Sequence, residues 1–393
     1  MTNNYYSYEY PMTDEERIRT THIGSLPRSP RLLELLQKRQ NGVDVDEDEW
    51  NVAVADATRN VIKRQHEIGL DIVNNGEQPR VSFNWYVADR LSGIDGEREQ
   101  SLWADLAEYP DYAEETFSTD VIDLSTQPVV TGPVKYTGHE AAEQESAAFF
   151  DALDAVDTDF EETFMTSASP SVVATTHVNE YYDSHEEFLF AVADAMSDEY
   201  ELIAETGATL QIDAPELLAA GHADYADHTT EEFKGVTALH VEALNSALEN
   251  VPAEQVRLHT CWGSYEGPHH LDTDLVELLP ELYEADISGL SIEQANPRHQ
   301  HEYHAFTEQP VPDGWTLIPG VVDVKTNIID HPETIADRLK RVANSVDDST
   351  PLVAAPDCGF GTQAGLGMVA PEIAWAKLDA LVEGAEIAVE YIH

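Results

Sequence analysis

His259 and Cys261 stand two positions apart in Leu258-His259-Thr260-Cys261-Trp262-Gly263, a short apolar run that ends in a turn. Residues i and i+2 of a β-strand point to the same side. An imidazole and a thiol are therefore aimed at one point, and that pair suits Zn²⁺, which takes nitrogen and thiolate sulfur in a tetrahedral shell. The other cysteine, Cys358, closes a second apolar run from Pro351. Three ligands at two strand ends leave a fourth to find. Glu293, after Gly289-Leu290-Ser291-Ile292, is the candidate, and Glu266 is its rival. A carboxylate is the exchangeable member of such a shell. A substrate thiol that displaces it binds as a thiolate, a good nucleophile near neutral pH. That chemistry is alkyl transfer to sulfur. Further strand-like runs end on Glu77, Asp213, Glu216 and Asp323. Glu77 and Asp213 suit the ammonium group of an amino-acid thiol.

Residues so far apart in sequence meet only if a fold gathers strand ends on one face. Leu189, Val192, Met196, Tyr200 and Ile203 recur at helical spacing and predict a helix over 185–205. Gly207 then leads into a strand at 208–216. The same alternation gives a helix near 47–69 before a strand at 70–77, and a helix near 231–249 before the His259 strand. A helix at about 271–284 precedes the strand ending on Glu293. Strands at 315–323 and 351–358 are followed by helices that open at Pro332 and Pro371, where proline is tolerated. Ile335, Leu339, Val342 and Val346 mark the buried face of the first of these helices.

Adding 127–134, 164–170 and the Ile23-Gly24-Ser25 turn makes nine strand-like segments. Strands alternating with helices predict parallel βα units, and eight strands close a (β/α)8 TIM barrel. The Ile23–Ser25 turn is the expected odd one, lying across the barrel mouth. In a barrel the strand C-termini converge, so Glu77, Asp213, His259, Cys261, Glu293, Asp323 and Cys358 meet there. A doubly wound sheet is the runner-up, but no Gly-x-Gly-x-x-Gly or phosphate loop follows a strand. Residues 1–19 read as a loose acidic arm and 20–393 as one barrel domain.

The 75 acidic residues against 21 basic ones give a formal net charge of −54, a field that repels phosphates and excludes nucleic acid as a partner. The acids are spread along the chain and accompany a normal share of hydrophobic residues. This is the composition of a halophilic surface, on which salt screens repulsion to a few ångströms. The fold is therefore expected to weaken in dilute buffer. An unchanged circular dichroism spectrum after removal of salt would show that the charge needs no screening. No apolar run is long enough to span a membrane, and the tyrosine-rich acidic start is unlike a signal peptide, so a soluble cytoplasmic protein is expected.

Taken in order, seven motifs resemble the cobalamin-independent methionine synthase family. They are Thr21-His22-Ile23-Gly24-Ser25-Leu26-Pro27, Asn75-Gly76-Glu77-Gln78-Pro79-Arg80, Gln211-Ile212-Asp213-Ala214-Pro215, His259-Thr260-Cys261, Ser291-Ile292-Glu293, Pro319-Gly320-Val321-Val322-Asp323 and Pro356-Asp357-Cys358-Gly359. The resemblance implies a barrel with zinc at His259, Cys261, Glu293 and Cys358. It implies homocysteine contacts from Ile23, Ser25, Glu77 and Asp213, and a methyl donor that is a methylfolate or a methylated corrinoid protein. The chain matches the catalytic half of the longer family members. The family's Asp-Glu-Pro stands here as Asp213-Ala214-Pro215, and no folate-stacking tryptophan occurs near Ser167 to Ser171. Lys325 stands where the family has a histidine proton donor, and Lys325 with Asp323 is the candidate catalytic pair.

The stretch Cys261 to His270 with Ala295-Asn296-Pro297-Arg298-His299 is similar to a short-chain branch that includes epoxyalkane:coenzyme M transferase. Coenzyme M is thus the alternative acceptor thiol. Arg80, Arg298 and the histidines at 269, 270, 299, 301 and 304 are candidate contacts to an anionic substrate, the histidines otherwise being plain loop residues. A non-catalytic zinc- or tetrapyrrole-binding barrel is the third reading, disfavoured because a structural zinc site is normally closed.

Overall fold

Short apolar strands and longer amphipathic helices alternate, and the strands pair in parallel to form one ring. The computed structural model describes residues 17–100, 102–117, 126–156 and 160–392. The ring strands are β1 (Arg19–Thr20), β2 (Ile72–Val73), β3 (Glu162–Ala168), β4 (Thr209–Asp213), β5 (Val256–Thr260), β6 (Gly289–Ile292), β7 (Thr316–Val322) and β8 (Val353–Pro356). Neighbours run in the order β1-β8-β7-β6-β5-β4-β3-β2. A parallel bridge between Thr21 and Ile72 links the two ends. This is the expected (β/α)8 TIM barrel.

Local sequence sets the helices that space these strands. Ser184 caps His185–Glu205 by accepting from Glu187 N. Thr229 and Glu232 form a reciprocal capping box at the start of Thr230–Ala247. Gly69, at φ 90°, ends Glu47–Ile68 in the left-handed conformation that glycine adopts without strain. Ile23, Ile72, Phe164, Ile318, Val353 and Ala355 form one buried cluster. Arg257 lies over the Phe164 ring at 3.8 Å. Among the described residues no helix is long and apolar enough to cross a membrane.

The structure corrects the assignment of the ninth segment. Thr126–Val130, which overlaps the expected 127–134 strand, leaves the barrel and joins a side sheet with Ile94–Glu99 and Val178–Asn179. The Ile23–Ser25 turn directly follows β1, which the sequence pattern did not show. Two residues, one of them arginine, carry no period; pairing of Arg19 with Val353 and Thr20 with Ala354 makes them a strand. The barrel thus begins inside the segment read as an arm, and Arg17 is ion-paired to Asp71 and Glu161. Residues 1–16 of that arm lie outside the described residues. The helix from Pro332 ends at Ala343, before Val346. Strand β7 runs through Pro319-Gly320 with a register shift against β8 between Gly320 and Val322. A Cβ on Gly320 would lie 2.8 Å from Asp357 Cα, so this close approach requires glycine.

Candidate active site

Strand β5 and the loop after β8 bring His259, Cys261 and Cys358 together. Their ligand atoms all lie within 4.8 Å of one another, and all three residues are buried. His259 Nδ1 is engaged by Ser291 Oγ at 3.2 Å, whereas the buried Nε2 has no hydrogen-bond partner. One ring nitrogen held by a neighbour while the other faces two sulfurs is how a metal-ligating histidine is oriented. These residues fit a metal ion. A hydrogen bond from the Cys261 thiol, with His259 nearby, draws Cys358 well below the ordinary thiol range. That bond and burial push Cys261 well above it. Burial pulls His259 down, but the Cys358 sulfur and the carboxylates of Asp213 and Glu293 outweigh it, and the net shift is upward.

Glu293, the candidate fourth ligand, follows β6 and is fully buried beside these sulfurs. Its carboxylate accepts from Lys325 Nζ and Asn296 Nδ2, and from Trp262 N at 3.2 Å. Asp357 holds the loop behind it by accepting from Gln294 N at 2.9 Å, Ala295 N at 2.7 Å and Asn296 N at 3.1 Å. The rival Glu266 is exposed, and its carbonyl accepts from Tyr112 Oη. Asp323 receives Lys325 N at 3.0 Å and Thr326 Oγ1 at 2.5 Å, so it shapes the turn that carries Lys325.

A cavity of about 700 Å³ opens above the sulfurs, and Ile23, Ser25, Glu77 and Asp213 share its wall with His259, Cys261 and Cys358. Gln211 Nε2 donates to Ile23 O and, at 2.7 Å, to Asp213 Oδ1. Arg257 Nε in turn donates to Gln211 Oε1 at 2.9 Å, so the barrel interior fixes both of these cavity-wall groups. Glu77 sits at φ 52°, an uncommon conformation for a non-glycine residue, and its side chain accepts from Thr166 Oγ1 at 3.1 Å. Burial pushes Glu77 up against the pull of Arg80 and Arg28. Burial, then the charge of Glu77, pushes Asp213 up to about 8. Two buried carboxyls facing one cavity are poised for a cation.

Glu216 also lines this cavity. It accepts from Ser169 Oγ at 2.7 Å and Ser171 Oγ at 2.5 Å, and burial pushes it up to about 7. A carboxyl with a raised folded pKa binds its proton more tightly than the unfolded chain does. Glu216 therefore lowers stability as pH rises from its ordinary 4.5 through about 7. In Glu216→Gln the thermal midpoint should fall less between about pH 5 and about pH 8 than in the parent. Equal falls in both proteins would show that Glu216 does not titrate in this range.

The model of the cobalamin-independent synthase family, catalytic domain, matches residues 18–108 and 117–385. The chain belongs to this family. It is 26% identical over 372 residues to a methionine synthase of Thermococcus kodakarensis, covering 94% of this chain and 92% of the relative. It is 25% identical over 380 residues to that of Saccharolobus solfataricus, covering 94% and 95%. A B12-independent methionine synthase from Shewanella sp. W3-18-1, solved with selenomethionine, superposes with a TM-score of 0.69 at 21% identity, over 96% of this chain and 99% of that one. A putative vitamin-B12 independent methionine synthase from Listeria monocytogenes gives 0.62 at 18%, over 94% and 98%. Family membership makes the chain a methyltransferase of the methionine synthase type.

Within this synthase-family barrel, several sequence-derived anion contacts lie elsewhere. Arg80 Nε is bound to Glu145 Oε1 at 2.9 Å and Arg80 Nη1 to Thr166 Oγ1 at 3.0 Å; Arg298 is exposed. His270, His301 and His304 are exposed, the last at the end of a short 3-10 turn. His269 and His299 are buried around Asp272, which the sequence reading missed. Asp272 Oδ2 is 3.0 Å from His269 Nδ1 and 2.8 Å from His299 Nε2, and Oδ1 is 2.9 Å from His222 Nδ1. Burial raises Asp272, but the three imidazoles outweigh it and hold it far below the carboxylate range. His269 Nε2 lies 3.2 Å from Lys325 Nζ, and His299 stacks on Trp262 at 3.6 Å. The cluster therefore buttresses the groups that hold Glu293. The only sequence signal was the density of histidines after Pro268.

Proposed function

We propose that this chain is a zinc-dependent S-methyltransferase that converts the thiol of homocysteine to the thioether of methionine. The carrying observation is the buried His259–Cys261–Cys358 cluster, with a free imidazole nitrogen, on the floor of a cavity walled by Glu77 and Asp213. Zn²⁺, when bound, supplies the Lewis acidity that keeps a thiol deprotonated near neutral pH. His259, Cys261 and Cys358 would hold it, with Glu293 as the exchangeable fourth group. Glu77 and Asp213 receive the substrate ammonium, and Ile23 and Ser25 lie beside its carboxylate. Lys325 and Asn296 give the Glu293 carboxylate a place to rest when a thiol takes its position. The thiolate sulfur attacks the donor's methyl carbon in line, and much of the rate comes from orienting two bound reactants.

The carboxylate wall supports an amino-acid thiol over coenzyme M, because the arginines that a sulfonate would need are otherwise engaged or exposed. The deciding measurement is zinc-edge X-ray absorption on purified protein in high salt, with and without homocysteine. An added sulfur neighbour, with loss of an oxygen one, is expected. An unchanged shell would refute homocysteine as the acceptor.

A further inference from the structure

Lys325 was the expected proton donor, yet it does not line the cavity. It is buried, and its ammonium meets Glu293 Oε1 instead. A buried charge persists where it is paired. The ammonium is also fixed from behind. Lys325 N donates to Asp323 Oδ1 at 3.0 Å, and His269 Nε2 lies 3.2 Å from Nζ. His269 Nδ1 is held in turn by Asp272 Oδ2 at 3.0 Å. A second arm leaves the same carboxylate. His299 Nε2, 2.8 Å from Asp272 Oδ2, belongs to the ring that stacks on Trp262, and Trp262 N donates to Glu293 Oε2 at 3.2 Å. Asp272 therefore stands behind contacts to both oxygens of Glu293.

Charge decides what this arrangement does. The thiolates of Cys261 and Cys358 match the two positive charges of a zinc ion, and Glu293 adds one negative charge more. A substrate thiolate that displaces Glu293 adds another, and the freed carboxylate stays buried. A buried carboxylate without a partner is costly. Lys325 is already in contact with it and neutralises it. While Glu293 still holds the fourth position, the same ammonium repels the nearby metal charge and draws the carboxylate toward itself. Both effects favour exchange of the carboxylate for a thiolate.

We propose that Lys325 is a positioning residue rather than a proton donor. Its ammonium competes with the metal for Glu293 and keeps the carboxylate when a substrate thiolate takes the fourth position. Asp272 and its imidazoles are the seat that holds the ammonium there. This rests on the zinc-thiolate reading of the site with homocysteine as acceptor.

The test compares the zinc-loaded full chain in molar KCl with Lys325→Met and Lys325→Gln, two neutral replacements of which either suffices. Loss of an outer partner usually weakens a metal site about 10- to 100-fold. Here the neutral variants should instead hold zinc about tenfold more tightly against a chelator, and bind homocysteine about tenfold more weakly by isothermal titration, each the worth of one charge-assisted contact. Turnover at saturating homocysteine should stay within about threefold of the parent, which places the loss in KM. Weaker zinc binding in the neutral variants would make Lys325 a structural support and overturn the proposal. A large fall in turnover with an unchanged KM would restore the proton donor and overturn it too. Tighter zinc in the variants, with a parent zinc edge blind to homocysteine, would leave the competition for Glu293 standing and remove the acceptor reading.

Discussion

A Cys358→Ser protein is expected to purify without zinc and to lose methyl transfer by more than about 100-fold, a loss reached even when an outer-shell partner of a metal is removed. Cys358 is the thiol that Cys261 and His259 draw toward its ionised form. A serine hydroxyl at that position neither ionises in this range nor matches the softness of thiolate sulfur. The two remaining ligand groups from β5 leave the shell open on the β8 side. Metal content by atomic absorption and single-turnover methyl transfer report the two effects separately. A serine variant that still carries one zinc per chain would remove Cys358 from the ligand set.

Glu145→Ala should give the largest loss of stability, about 3–5 kcal/mol, the cost of leaving a buried charge unpaired. Glu145 Oε1 receives Arg80 Nε at 2.9 Å, and Oε2 receives Arg90 Nη2 at 2.5 Å. Arg90 keeps a second carboxylate, Glu199, at 3.0 Å. Arg80 keeps the Thr166 hydroxyl, the face of Tyr86 and the more distant charge of Glu77, but no hydrogen-bonded carboxylate among the described residues. Buried pairs are little screened, so the loss should persist in molar salt, where exposed pairs such as Arg39–Glu47 contribute next to nothing. Denaturant unfolding at fixed high salt measures it. A change below about 1 kcal/mol would mean that water reaches Arg80 and replaces its partner.

The legible parts of this molecule were those written in short-range periodicity. His259 and Cys261 share a strand face because side chains alternate, and the helix over 185–205 coincides with its predicted limits because its apolar stripe and Ser184 cap are local. The strand ends on Asp213, Glu293 and Cys358 were visible for the same reason. Partners set by tertiary pairing were not visible. Arg19–Thr20 is a strand only because Val353–Ala354 lies beside it, and Thr126–Val130 left the barrel only because Ile94–Glu99 pairs with it. Charges were the hardest to read. Arg80 closes the Asn75–Arg80 motif, yet it is turned onto Glu145, 65 positions along the chain, a partner that no spacing or pattern announces. Asp272 fell at the start of the helix expected at about 271–284, and only the folded chain shows three imidazoles converging on it.

The hydrogen bonds between β1 and β8 also govern how this barrel is made. Arg19 waits for Val353 and Thr20 for Ala354, the most distant pairing in the ring. On a ribosome the first strand emerges long before its partner exists, so the growing barrel stays an open sheet with an unsatisfied edge at each end. Such long-range closure slows folding and prolongs exposure of edges that other chains can join. The acidity spread along the chain then has a second benefit, as mutual repulsion between nascent copies keeps those edges apart until the last strand seals the ring.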